Sequence, residues 1–127
     1  MSPTDAVKSR LLAKPGASAE PAKIQGVALY KVMGKMFAIL SERADPNVSL
    51  KCDPHLAEIL RAQYAAIGHR YHLDRRHWIS ISLDSDVPED EVLRLTDQSY
   101  DLVRAGLSAK QRAVLEQDNS TEEPPVQ

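Results

Sequence analysis

A chain of 127 residues with 43% apolar and 27% charged side chains has the length and composition of one globular domain, able to bury a core without staples. Its single cysteine, Cys52, excludes an internal disulfide and a CxxC motif. No apolar run approaches the ~20 residues that span a bilayer, and the N-terminus lacks the apolar core of a secretory signal, so a soluble, cytoplasmic protein with no membrane partner is expected. The net charge of −2 argues against a nucleic-acid binder, but it divides into +4 over residues 1–35, +1 over 36–83 and −7 over 84–127. Such asymmetry permits a basic face on a mildly acidic protein.

In chain order, Val7 and Leu11 lie one helical turn apart within 4–14, and Pro15-Gly16 ends that helix. Residues 17–26 are expected as a loop. The runs 27–33 and 35–41 predict the two strands of a hairpin about Gly34. In 48–52, Val48, Leu50 and Cys52 alternate with Ser49 and Lys51, which predicts a half-buried strand with its second face in solvent. Asp53-Pro54 is a strong helix start, because Asp caps free amides and Pro at the first helical position sacrifices no hydrogen bond. Leu56, Ile59, Leu60 and Tyr64 form the apolar stripe of that helix.

After a loop over 65–76, residues 77–83 alternate again, with His77, Ile79, Ile81 and Leu83 inward and Trp78, Ser80 and Ser82 outward. An amphipathic helix follows over 88–105, with Thr96 and Ser99 on its apolar arc, where each can bond back to the preceding turn. Ser108 and Gln111 make a capping box for a last helix to about 117. The expected domain is 1–117, with 118–127 a polar, disordered tail. The order predicts an α+β two-layer sandwich, an antiparallel sheet covered by helices on one face.

The densest basic cluster is GHRYHLDRRHW, 68–78. Arg70, Arg75 and Arg76 supply planar donor groups that match phosphate, and Tyr71 and Trp78 offer stacking platforms. His72 belongs to the same stretch, and Lys51 extends the surface across the sheet if it shares the outer face with Trp78. The alternative is a loop neutralised by the acidic helix of the same molecule. His69, His72 and His77 could ligate a metal, but their spacing is not diagnostic, and structural roles are favoured. Cys52 alternates toward the core, which favours a structural thiol over a nucleophile. The acids at 84, 86 and 89–91 suit a helix start better than a cation loop. No glycine motif for nucleotides is present, and no cofactor is expected.

Several of these segments together resemble the MmcQ/YjbR family of small bacterial proteins: GKMFAIL (34–40), VSLKCDPHLAEILRAQY (48–64), HRYHLDRRHWISISLDSDVPEDEV (69–92) and SYDLVRAGL (99–107). The resemblance implies a fold like that of CyaY, the bacterial frataxin, together with DNA binding and no catalytic activity. Frataxin-like iron binding is not implied, because the first helix carries Lys8, Arg10 and Lys14 against Asp5 alone. The expected function is therefore non-enzymatic DNA binding by a monomer, with Lys51, Arg70, Arg75 and Arg76 on phosphates and His72 in the same surface. Tyr71 and Trp78 are its stacking groups. Two alternatives stay open: a protein-interaction module docking a partner on the open sheet face and acidic final helices, and a metal-linked function at the three histidines.

Overall fold

The structure, a computed structural model, describes residues 2–70 and 72–122, with side chains as far as residue 117. Among these residues the chain forms α1 (Pro3–Leu12), β1 (Ala17–Pro21), β2 (Val27–Val32), β3 (Lys35–Ser41), β4 (Asn47–Lys51), α2 (Pro54–Gln63), β5 (Ile67–Gly68), β6 (Trp78–Ser82), α3 (Glu89–Ala105) and α4 (Ala109–Glu122). The strands make one sheet in the order β1-β2-β3-β4-β6-β5, with every neighbouring pair antiparallel. This is the α+β sandwich that the alternation predicts.

Local signals set most elements. Ser2 Oγ accepts the Asp5 amide at 3.1 Å and starts α1, and Asp53 Oδ2 accepts the amides of His55 and Leu56 at 3.1 and 3.2 Å to start α2. Met33 and Gly34, at φ of 49° and 81°, form the two-residue turn of the β2–β3 hairpin, where positive φ matches the strand twist. The Ser108–Gln111 capping box forms in both directions, each amide donating at 3.1 Å to the other side chain.

One apolar cluster joins the layers. Tyr30, Val32, Phe37, Leu50, Ile79 and Ile81 of the sheet pack against Val7 and Leu11 of α1, Leu60 of α2, and Leu95 and Tyr100 of α3. The Phe37 and Tyr100 rings meet edge to face, their centroids 5.3 Å apart. α3 is also tied to the sheet by polar bonds. Ser99 Oγ donates to the Phe37 carbonyl at 2.5 Å and accepts the Lys51 amide at 2.8 Å. It thereby spans β3 and β4 just beyond their last paired residues, Ala38 and Leu50. Thr96 bonds back to the Val92 carbonyl, as expected of its place on the helix; Ser99 instead reaches across.

Several expectations are corrected. Residues 17–21, expected as loop, are the edge strand β1, whose pairing rests on backbone bonds to β2 and needs no apolar alternation. β5 interrupts the expected 65–76 loop with two residues paired to β6. Ile59 is 59% exposed, and Ala57 rather than Ile59 packs beside Leu60. Ser49 lies on the face opposite Val48 and Leu50, yet it is fully buried, and its Oγ lacks a hydrogen-bond partner among the described residues. Its lateral neighbours on that face are Ile39 of β3 and Ser80 of β6.

The last helix runs to Glu122 rather than to about 117. Leu115 is buried and closes over Gly16, where a Cβ would come within 2.3 Å of it. Residues 123–127 of the expected tail lie outside the described residues.

Candidate nucleic-acid interface

The basic stretch leaves β5 at Gly68 and enters β6 at Trp78, so both its ends are anchored in one edge of the sheet. Within it, the Leu73 amide donates to the Arg70 carbonyl at 3.0 Å and the His77 amide to the Asp74 carbonyl at 3.1 Å. Asp74 organises the second of these turns, because its carboxylate accepts the Arg76 amide at 2.9 Å and contacts His77 Nδ1 at 2.6 Å. The His77 bond, and then the Arg76 amide, hold the Asp74 carboxyl below the ordinary carboxylate range. The one acid of the stretch is thereby committed to the loop's own backbone and histidine.

A second anchor comes from α2. Arg61 donates to the Arg75 carbonyl at 3.1 Å and, at the longer distance of 3.5 Å, to that of Trp78. Sequence reasoning missed Arg61, because a cation in the last turn of a helix has a sufficient local explanation. Nothing in the sequence couples it to carbonyls 14 and 17 residues further on.

Arg75 and Arg76 project as exposed side chains, and Arg70 is half-buried. Among the described residues none of the three is in an ion pair, nor is Lys51. Neutralisation by the acidic helix does not occur. Asp97 of α3 pairs instead with Arg10 and Lys14, at 3.2 and 2.5 Å, Glu91 pairs with Arg94 within α3, and Arg104 meets Glu116 of α4 at 3.5 Å.

Lys51 and Trp78 are direct cross-strand partners, as the alternation predicts, and both are half-buried. Arg75 and Arg76 line a cleft of about 680 Å³ with one face of α2 from Pro54 to Ala62, whereas Arg70, on the other limb of the loop, does not line it. Tyr71 lies outside the described residues.

The histidines are not brought together as a metal site. His69 and His72 are exposed, and among the described residues no group of three or more His, Cys, Asp or Glu side chains is placed to hold an ion. His77, expected inward, precedes the first paired residue of β6 and so escapes the strand's alternation; its side chain is 43% exposed and turned to Asp74. Cys52 is buried, and burial, reinforced by the neighbouring Asp53 charge, pushes its thiol up to about 11. That setting disfavours a reactive thiolate. Among the described residues no helix is long and apolar enough to cross a membrane.

The fold and loop define a small antiparallel α+β protein with a basic loop at the sheet edge. The YjbR family model matches residues 12–102. The chain is 35% identical over 107 residues to the uncharacterized protein YjbR of Escherichia coli K12, covering 84% of this chain and 91% of that one. It is 40% identical over 57 residues to the uncharacterized protein YyaQ of Bacillus subtilis, covering 45% and 48% of the two chains. The crystal structure of Deinococcus radiodurans protein DR2400 superposes with a TM-score of 0.81 at 30% identity, covering 91% of each chain. A crystal structure from Pseudomonas syringae, with a TM-score of 0.64 at 21% identity over 74% of this chain and 92% of the other, shares the fold. The chain belongs to the YjbR family.

Proposed function

We propose that the protein is a non-enzymatic, cytoplasmic DNA-binding protein that grips the phosphate backbone with Arg70, Arg75, Arg76 and Lys51. The observation that carries the reading is the ion-pairing pattern. The loop's only acid is engaged within the loop, Glu91 and Asp97 of α3 pair elsewhere, and no acid of α3 pairs with the loop's arginines among the described residues, so the guanidinium groups keep their donors for an external anion. Trp78, opposite Lys51 on the sheet, is the stacking group of the same surface.

Backbone binding through about four phosphates gives a slope of log K against log salt of about −3.6. A titration of labelled duplex at several salt concentrations measures it. Replacing Arg70, Arg75 and Arg76 by Ala should flatten the slope to about −0.9, the value for the one remaining cation. No binding at low salt, or an unchanged slope in the triple variant, refutes the reading.

A second reading, a protein-interaction module, is favoured by a different observation. A groove of about 400 Å³ between α2 and α3 is lined in part by Leu56 and Leu102, and Leu102 is 41% exposed. Under that reading Leu102→Asp abolishes partner capture while the duplex titration of the variant is unchanged.

A further inference from the structure

The cleft beside α2 has a shape and a donor set that contact with a DNA backbone does not require. Its volume of about 680 Å³ falls in the range of small-ligand pockets, roughly 300–1,000 Å³. Arg61, Arg75 and Arg76 all line it. Arg61 is held in place through one amino group by the two loop carbonyls, which leaves its other amino group and Nε for a ligand. Two carboxylates share the cleft, fewer than its three guanidinium groups. Asp53 is engaged by the first amides of α2, and exposed Glu58 is in no ion pair among the described residues.

An internal phosphodiester carries one charge and is flanked by a sugar on each side, so it meets a protein along an open surface. A terminal phosphate carries up to two charges and three free oxygens, and it can enter a concavity. Guanidinium forks match those oxygens in pairs. We infer that the cleft binds the terminal phosphate of a phosphate monoester, with Arg61, Arg75 and Arg76 as its donors. This goes beyond backbone binding while sharing Arg75 and Arg76 with it. The monoester is either a free nucleotide or the phosphorylated end of a nucleic-acid strand.

Calorimetric titration of the full chain with adenosine 5′-monophosphate, with adenosine, and with one single strand carrying or lacking a 5′-phosphate tests the inference. The monophosphate should bind at low salt and adenosine should not. The Arg75→Ala/Arg76→Ala variant should lose about tenfold or more in affinity. Glu58→Gln, which removes an opposing charge from an exposed helix position without an ion pair, should bind about two- to threefold more tightly. That gain separates the site from a loss of fold.

Binding by the phosphorylated strand that is tighter than both the monophosphate and the strand lacking the 5′-phosphate assigns the ligand to a strand end, and no difference between the two strands assigns it to the free monoester. Equal binding of adenosine and its monophosphate, no saturation by the monophosphate, or no gain from Glu58→Gln overturns the inference. Unphosphorylated duplex keeps the two claims apart: duplex binding without monophosphate binding sinks the cleft alone, and the reverse sinks the backbone reading alone.

Discussion

In the helical layer six of the ten charged side chains of α1 and α3 are in ion pairs: Asp97 takes Arg10 and also Lys14 just beyond α1, and Glu91 takes Arg94. In the loop between β5 and β6, Asp74 is spent on the Arg76 amide and on His77, and three arginines stay out of any ion pair among the described residues. The two regions have opposite formal charge, but that is not the difference that matters. α3 is fastened to the sheet through buried groups and has Glu91, Arg94, Asp97 and Arg104 in ion pairs, whereas the loop is fastened through its backbone, which leaves its cationic ends available. A net charge of −2 hides this, because what an approaching phosphate meets is the unpaired part of the distribution.

The contrast can be broken by mutation. The largest stability effect should come from Ser99→Ala, which deprives the Phe37 carbonyl and the Lys51 amide of their shared buried partner. A loss of about 2–3 kcal/mol in urea unfolding is expected. Tyr100→Phe removes the hydroxyl that donates to the Pro15 carbonyl at 2.6 Å and should cost about 1 kcal/mol by the same measurement. Asp97→Asn dissolves two partly exposed ion pairs; about 0.5 kcal/mol should be lost at low salt, and the difference should vanish in about 1 M salt.

The triple alanine variant of Arg70, Arg75 and Arg76 should change stability by less than about 0.5 kcal/mol, since these side chains hold nothing in the fold. A loss comparable to that of Ser99→Ala would put the loop with the structural charges and erase the contrast. The smallest effect is a pH effect. The Asp74 carboxyl is depressed in the folded state, so its contribution is present above its ordinary value of 3.8 and is lost as pH falls through the depressed one. Asp74→Asn should make acid unfolding slightly less steep in that window.

The elements that the sequence predicts correctly have their causes within a few residues. The Asp53-Pro54 start of α2, the turn at Gly34, which also takes in Met33 from the end of the expected strand, and the Ser108–Gln111 box are each made by neighbours in the chain. β1 was hidden because an exposed edge strand needs only a partner's backbone, and that partner is β2. Ser49 and Ser99 look like ordinary small polar residues, and their burial depends on strands and helices brought in from elsewhere. At the candidate interface, the Lys51–Trp78 juxtaposition follows from alternation, but His77 sits where alternation has not yet begun. Whether the arginines are paired could not be read from composition, because the decisive facts are Asp74 turning inward on its own loop and Asp97 turning to Arg10 of α1.

The most direct measurement is the NMR signal of each arginine Nε–H as duplex DNA is added at low salt. Signals of Arg70, Arg75 and Arg76 should shift together and saturate together, while those of Arg10 and Arg94, already held by carboxylates, should stay in place. Shifts centred on Arg10 and Arg94, or none in the loop at saturating duplex, would contradict the account.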